Sequence, residues 1–185
     1  MRRAILRAIV ALGALFFVGV LSVPSASATS PHFKKGGEPT CTITSTSAPS
    51  ASTSCTATLA GLGNADVRVV LTVSGSAVYQ CQNGGGNLAV GQNKVLVGPA
   101  VTPVIFPASA IKNGNLSFTV ANTLTAPATV SGADAGCPNP NWTGVRPVLK
   151  ITDISLVIEQ PVGTVIFTCT ASDQDGLTSP VALAC

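Results

Sequence analysis

Charge is what this sequence has least of: ten Lys and Arg and seven Asp and Glu in 185 residues, 9% of the chain. A surface so poor in Lys and Arg has no phosphate-neutralising stripe, which argues against nucleic acid and anionic membrane surfaces as partners. Histidine is scarcer still. The single His32 lies ahead of the first cysteine, so neither Ser-His-Asp nor Cys-His machinery can be assembled from within the domain. With one Trp and one Tyr, the chain also lacks the aromatic rows of a long glycan cleft. No Cys-x-x-Cys occurs, which disfavours a thiolate metal site, and no Gly-rich run leads into Lys-Ser/Thr, which excludes a phosphate loop. No cofactor is implied.

Carboxylates alone survive these exclusions, because a glycosidase needs only two of them. The candidates are Glu38, Asp66, Asp134, Asp153, Glu159, Asp173 and Asp175. Most stand at turns, where a carboxylate is usually solvated or capping, so the expectation is a protein that is not an enzyme. Asp173-Gln174-Asp175-Gly176 resembles the opening of a calcium loop, yet the later ligands and the closing glutamate are missing, and a plain turn is expected.

What is present starts with an export pattern. Arg2, Arg3 and Arg7 form a basic n-region, uncharged residues 8–21 an apolar h-region, and Ala26-Ser27-Ala28 a small-residue cleavage site, so residues 1–28 read as a signal peptide. The apolar run is shorter than the roughly 20 residues that span a bilayer, which favours cleavage over anchoring. Arg2-Arg3 is also a loose twin-arginine pattern. Either route makes the protein secreted and extracellular, with no membrane association after cleavage. Loss of the three arginines leaves seven basic residues against seven acidic ones, a neutral mature chain.

Residues 29–40 lack periodicity and are expected to form a flexible N-terminal tail ahead of a single domain at 41–185. From there Val, Ile and Thr recur in short runs cut by Gly, Pro, Asn and Asp, with no convincing amphipathic helix. Strands are expected at 53–60, 65–79, 94–101, 115–121, 148–159 and 162–171, the last two forming a hairpin about Gln160-Pro161. Over 65–79, Val67, Val69, Leu71 and Val73 alternate with Arg68, Thr72 and Ser74, the period of a half-buried sheet, while Val70 interrupts the polar side. The expected fold is all-β: a two-sheet antiparallel sandwich, immunoglobulin-like and disulfide-braced. Two connections, 82–93 and 124–144, are too long for simple turns and draw functional interest.

All six cysteines lie beyond the signal peptide, as disulfides of an oxidising compartment would. Six allow 15 pairings, and sequence does not choose among them. Local spacing suggests Cys41 with Cys55 and Cys169 with Cys185, which leaves Cys81 for Cys137 and ties the two long connections together. Those connections carry Asn83, Asn87, Gln92 and Asn93 on one side and Asn139, Asn141 and Trp142 on the other. Amides beside one indole suit a saccharide, because carboxamides bind hydroxyls while a ring face stacks. Against this stands a plainer alternative, in which the amides satisfy the loop backbone and Trp142 packs over the disulfide. Asn115-Leu116-Ser117 and Asn141-Trp142-Thr143 match the N-glycosylation pattern, which matters only in a host with the machinery.

Residues 59–67 (Leu-Ala-Gly-Leu-Gly-Asn-Ala-Asp-Val), 83–93, 107–115 (Pro-Ala-Ser-Ala-Ile-Lys-Asn-Gly-Asn) and 135–143 (Ala-Gly-Cys-Pro-Asn-Pro-Asn-Trp-Thr) carry a resemblance. In these stretches the chain is similar to small exported β-sandwich proteins of actinobacteria and some other microbes. The likeness runs from about Cys55 to Phe167, with Cys169 and Cys185 as additions, and implies export and fold but no activity. The resulting expectation is a secreted, non-enzymatic binding or structural protein with an extracellular ligand, a saccharide or a protein. Two alternatives stand beside it: a secreted proteinase inhibitor presenting the proline-flanked Cys137 loop, and a carbohydrate-active enzyme.

Overall fold

A computed structural model describes residues 30–45 and 49–185; the expected signal peptide at 1–28 lies outside the described residues. The apolar alternation along the chain becomes ten antiparallel strands: β1 (His32–Phe33), β2 (Thr40–Ser45), β3 (Ser50–Ala60), β4 (Val67–Gln82), β5 (Leu88–Phe106), β6 (Leu116–Thr125), β7 (Thr129–Ser131), β8 (Thr143–Glu159), β9 (Val165–Ser172) and β10 (Val181–Ala182). One 3-10 turn, Ala108–Ala110, is the sole helical element among the described residues.

The strands form two sheets of five. In the first, β3 is flanked by β6 on one side and by β2 and β1 on the other, with β10 beyond β2. In the second, β4 lies between β5 and β8, and β8 also carries β7 and β9. Inward positions of both sheets make one core, in which Leu59, Val67, Leu71, Ile154, Leu156 and Ile158 are fully buried. Val67, Val69, Leu71 and Val73 point inward from β4 and Leu116, Phe118 and Val120 from β6, as their alternation requires. The two-sheet sandwich is therefore the fold. Its disulfides do not cross the core as that of an antibody domain does, and Trp142 lies in a loop rather than between the sheets.

The expected flexible tail at 29–40 is corrected from Ser30 onward. His32 and Phe33 pair with Ala60 and Leu59, the Phe33 ring meets that of Phe167 at 4.5 Å between centroids, and Pro39 is fully buried. Backbone pairing with β3, together with the side chains of Phe33 and Pro39, docks a segment that has no periodicity of its own. The long connections are corrected as well. Most of 82–93 is strand, because β4 and β5 continue as a hairpin down to a turn at 83–87, and 124–144 contains the end of β6 and all of β7. The β8–β9 hairpin does turn at Gln160-Pro161, where the Gln160 N–H donates to the Thr164 carbonyl at 2.9 Å.

Cys41 and Cys55 are direct register partners on β2 and β3 and form a disulfide there. Cys81 joins Cys137, and Cys169 joins Cys185. All three pairings agree with local spacing. The C-terminal segment stitches both sheets at their edges: β10 pairs with β2, and Ala184 then bridges to Thr170 of β9.

Candidate functional site

The Cys81–Cys137 bond brings the two amide-bearing segments together, and the hydrogen bonds show how their amides are used. Asn83 Oδ1 accepts from the Gly85 and Asn87 N–H groups at 3.0 and 2.9 Å, closing the β4–β5 turn. Asn93 Nδ2 donates to the Asp134 carbonyl at 3.1 Å, while its N–H reaches Ala135. Asn139 Oδ1 accepts from the Asn141 N–H at 2.9 Å, and the Trp142 N–H donates to the Asn139 carbonyl at 3.0 Å. Gln92 makes one long contact of 3.4 Å to the Val90 carbonyl. Asn87, Gln92 and Asn141 present exposed amides, and the Trp142 ring is half-buried against the core.

Glycine explains why the two segments fit so closely. A side chain at Gly91 would meet the carbonyl oxygens of Ala135 and Tyr79 at 2.6 Å, and Gly136, at φ +65°, lies against Asn93. The Tyr79 hydroxyl donates to the Pro127 carbonyl at 2.9 Å, holding the same segment under the sheet, and burial raises its pKa. A shallow depression remains between Gln92, Asn93, Lys94, Val95, Ala133 and Asp134.

The other stretches that carried the resemblance are also occupied with fastening loops. Gln160, buried at the end of β8, donates to the carbonyls of Gly63 and Ala65 at 2.9 and 2.8 Å and accepts from the Gly63 N–H at 3.1 Å. Asp66 Oδ1 accepts from the Ala108 N–H at 2.9 Å. Asn113-Gly114, both at positive φ, turn the chain between Lys112 and Asn115, the two-residue turn that this dipeptide favours.

Each candidate carboxylate except that of Glu38 is held by a hydrogen bond or an ion pair. Glu159 takes both Nε and Nη2 of Arg68, at 2.9 and 2.7 Å, and the Gly163 N–H at 2.6 Å. The Arg68 hydrogen bonds, then that from Gly163, hold its carboxyl below the ordinary range. Asp175 pairs with Lys94 at 2.8 Å, which lowers its pKa, and Lys150 donates to its carbonyl at 3.0 Å. Asp134 accepts from the Ser131 hydroxyl, Asp153 from that of Thr152, and Asp173 from the Asp175 N–H. The segment 173–176 is thus a lysine-bound turn. Among the described residues no three His, Cys, Asp or Glu side chains cluster as metal ligands.

A second surface lies on the outer face of the first sheet. Every outward position of β2, β3 and β6, from Thr40 to Thr44, Ser50 to Thr58 and Ser117 to Thr125, is Ser or Thr with the exception of Ala121. The hydroxyls pair across strands: Ser50 with Thr125 and Ser52 with Thr123 at 2.9 Å, and Thr58 with Ser117 at 3.0 Å. Sheet geometry spaces them about 4.8 Å apart across strands and roughly 6.8 Å along them. At one end the 36–38 arm overhangs the array, leaving an open groove of about 360 Å³ lined by Glu38, Thr40, Thr56, Thr58, Ser117 and Thr119. The signal for this face was present in the sequence as alternation of hydroxyl and apolar residues. Composition alone hides it, because Ser and Thr are also what loops contain.

No protein-family model matches this chain, and neither does any curated protein. The described residues include no helix long and apolar enough to cross a membrane.

Proposed function

We propose that this is an exported, non-enzymatic protein of the cell exterior that binds an uncharged, hydroxyl-rich polymer, a cell-wall or other polysaccharide. The hydroxyl face of β2, β3 and β6 is the observation that carries the proposal. Its side chains donate and accept without charge, and their methyl groups add apolar contact, the chemistry that a neutral glycan surface offers in return. The joined loops contribute at their margin through Asn87, Gln92 and Asn141, since Asn83, Asn93 and Asn139 are committed to the backbone. Three disulfides suit an oxidising exterior, and the basic, apolar and small-residue order of residues 1–28 supplies the route to it.

The test is retention of the oxidised protein, begun at Thr29, on cell walls and insoluble polysaccharides. A triple Thr56→Val, Thr119→Val, Thr123→Val variant keeps shape and β-branching while removing hydroxyls. Retention of the natural protein and its loss in this variant support the hydroxyl face. Loss instead in an Asn87→Ala, Asn141→Ala variant moves the site to the loops. A natural protein that is not retained overturns the saccharide reading and turns attention to protein partners, secreted proteases among them.

A further inference from the structure

The outer face of the second sheet has the opposite chemistry. On it Leu96 is 86% exposed, Val90 67% and Val148 60%, with Leu88 and Val78 beside them, and Val101 and Ile105 extend the apolar surface along β5. The strand registers put these on one face: Leu96 opposite Ser76, Val78 between Lys94 and Val148, and Val90 opposite Gln80. The same chain covers its other outer face with hydroxyls, so composition does not account for the exposed valines and leucines. Gln80, Ser76, Lys94 and Lys150 stand among them, yet so much exposed apolar surface on one sheet face marks a place that something covers.

From this face we infer that the protein forms a two-fold dimer by stacking one second sheet on that of another copy. The seven exposed apolar residues alone offer on the order of 600 Å², about three quarters of the ~800 Å² per partner of a standard interface, and the exposed Gln80 between them adds to the same face. The lysines on the face, Lys94 and Lys150, are both bound to the Asp175 turn and Arg68 is clasped by Glu159, so two copies meet without unpaired lysines, while the exposed Asp153 beside Leu96 is held by the Thr152 hydroxyl. The free edge of β5 offers a poor route to joining edge to edge. Pro99 and Pro103 interrupt it, and the Gln92 and Asn93 N–H groups already donate to the 135–136 segment. Face stacking about a two-fold closes, and it places two hydroxyl faces on opposite outer surfaces.

Sedimentation equilibrium of the oxidised protein, begun at Thr29, tests this at micromolar concentration. The expected result is a dimer whose dissociation constant rises by at least ~30-fold in a Leu96→Lys, Val148→Lys variant. Both positions are exposed, so the variant retains the fold of the natural protein, checked by its far-ultraviolet circular dichroism. Thr119→Lys on the hydroxyl face leaves the dimer intact. A natural protein that stays monomeric, or a dimer broken by Thr119→Lys and not by the Leu96 and Val148 changes, overturns the inference. A monomer that sediments with neutral phosphatidylcholine vesicles also overturns it and gives the face to lipid.

Discussion

Replacing Cys81 and Cys137 together by alanine tests how the loops are held. Their bond closes a separation of 56 residues, whereas Cys41–Cys55 and Cys169–Cys185 close 14 and 16. In the chain-entropy model the long bridge contributes about 4 kcal/mol and each short one about 3 kcal/mol. In the folded state the segment stays fastened without the bond, by Asn93 to Asp134, Tyr79 to Pro127 and Gln92 to Gly136. Most of the loss therefore arises in the unfolded chain. Cys81 is fully buried, and removing its sulfur adds about 1 kcal/mol for the space left behind. Cys169 is fully buried and Cys185 is not, as with Cys81 and Cys137, so a Cys169→Ala, Cys185→Ala variant is the matched control. Urea unfolding without reductant measures both. The long-bridge variant is expected to lose about 1 kcal/mol more than the control and to show the larger rise in m, because its unfolded ensemble opens further. An equal or smaller loss, with m unchanged, would refute the entropic account and leave loop strain or residual structure in its place.

Gly91→Ala drives a methyl group into two backbone oxygens that cannot yield, and about 2–3 kcal/mol of destabilisation is expected in thermal unfolding. Gly84→Ala in the neighbouring turn meets nothing within 4 Å and should be close to neutral. Glu159 governs part of the acid limb. Its folded pKa lies below the ordinary value of 4.5, so its contribution is complete above that value and is lost as pH falls through the folded pKa. Melting temperature followed from about pH 7 down to about pH 3 should therefore fall less steeply in Glu159→Gln than in the natural protein. An unchanged slope would show that the Arg68 clasp contributes nothing to acid stability.

Strand existence was legible because burial on one side imposes period two, as at Val67 to Val73 and Leu116 to Val120. Strand extent was not. Gly98, Pro99 and Pro103 mark ends by local rules, yet β5 runs through them from Leu88 to Phe106 because an edge strand needs hydrogen bonds on one side only. The Asn and Gly run at 83–93 announced a loop, and only tertiary contact with the 133–136 segment makes strand of its second half. Phe33 shows the same limit, since nothing in residues 29–40 announces the Phe167 ring that docks it. For the candidate site, residue types promised ligand chemistry, but the amides of Asn83, Asn93 and Asn139 go to backbone groups whose positions no local pattern reveals. The hydroxyl face was visible in the alternation of β3 and β6, and its meaning depends on the two strands lying side by side.

The three bridges also set how far the molecule can stretch. Tension carried along an oxidised chain passes through sulfur from Cys41 to Cys55, from Cys81 to Cys137 and from Cys169 to Cys185, so the intervening residues never bear it. Only the stretches outside those loops can lengthen, each residue by at most ~3.5 Å. Less than half of the described contour is then available to extension, and β5, β6 and β7 lie wholly inside the sheltered portion. Reduction of the Cys81–Cys137 bond alone would return the largest hidden length, making that bond the chief limit on mechanical extensibility.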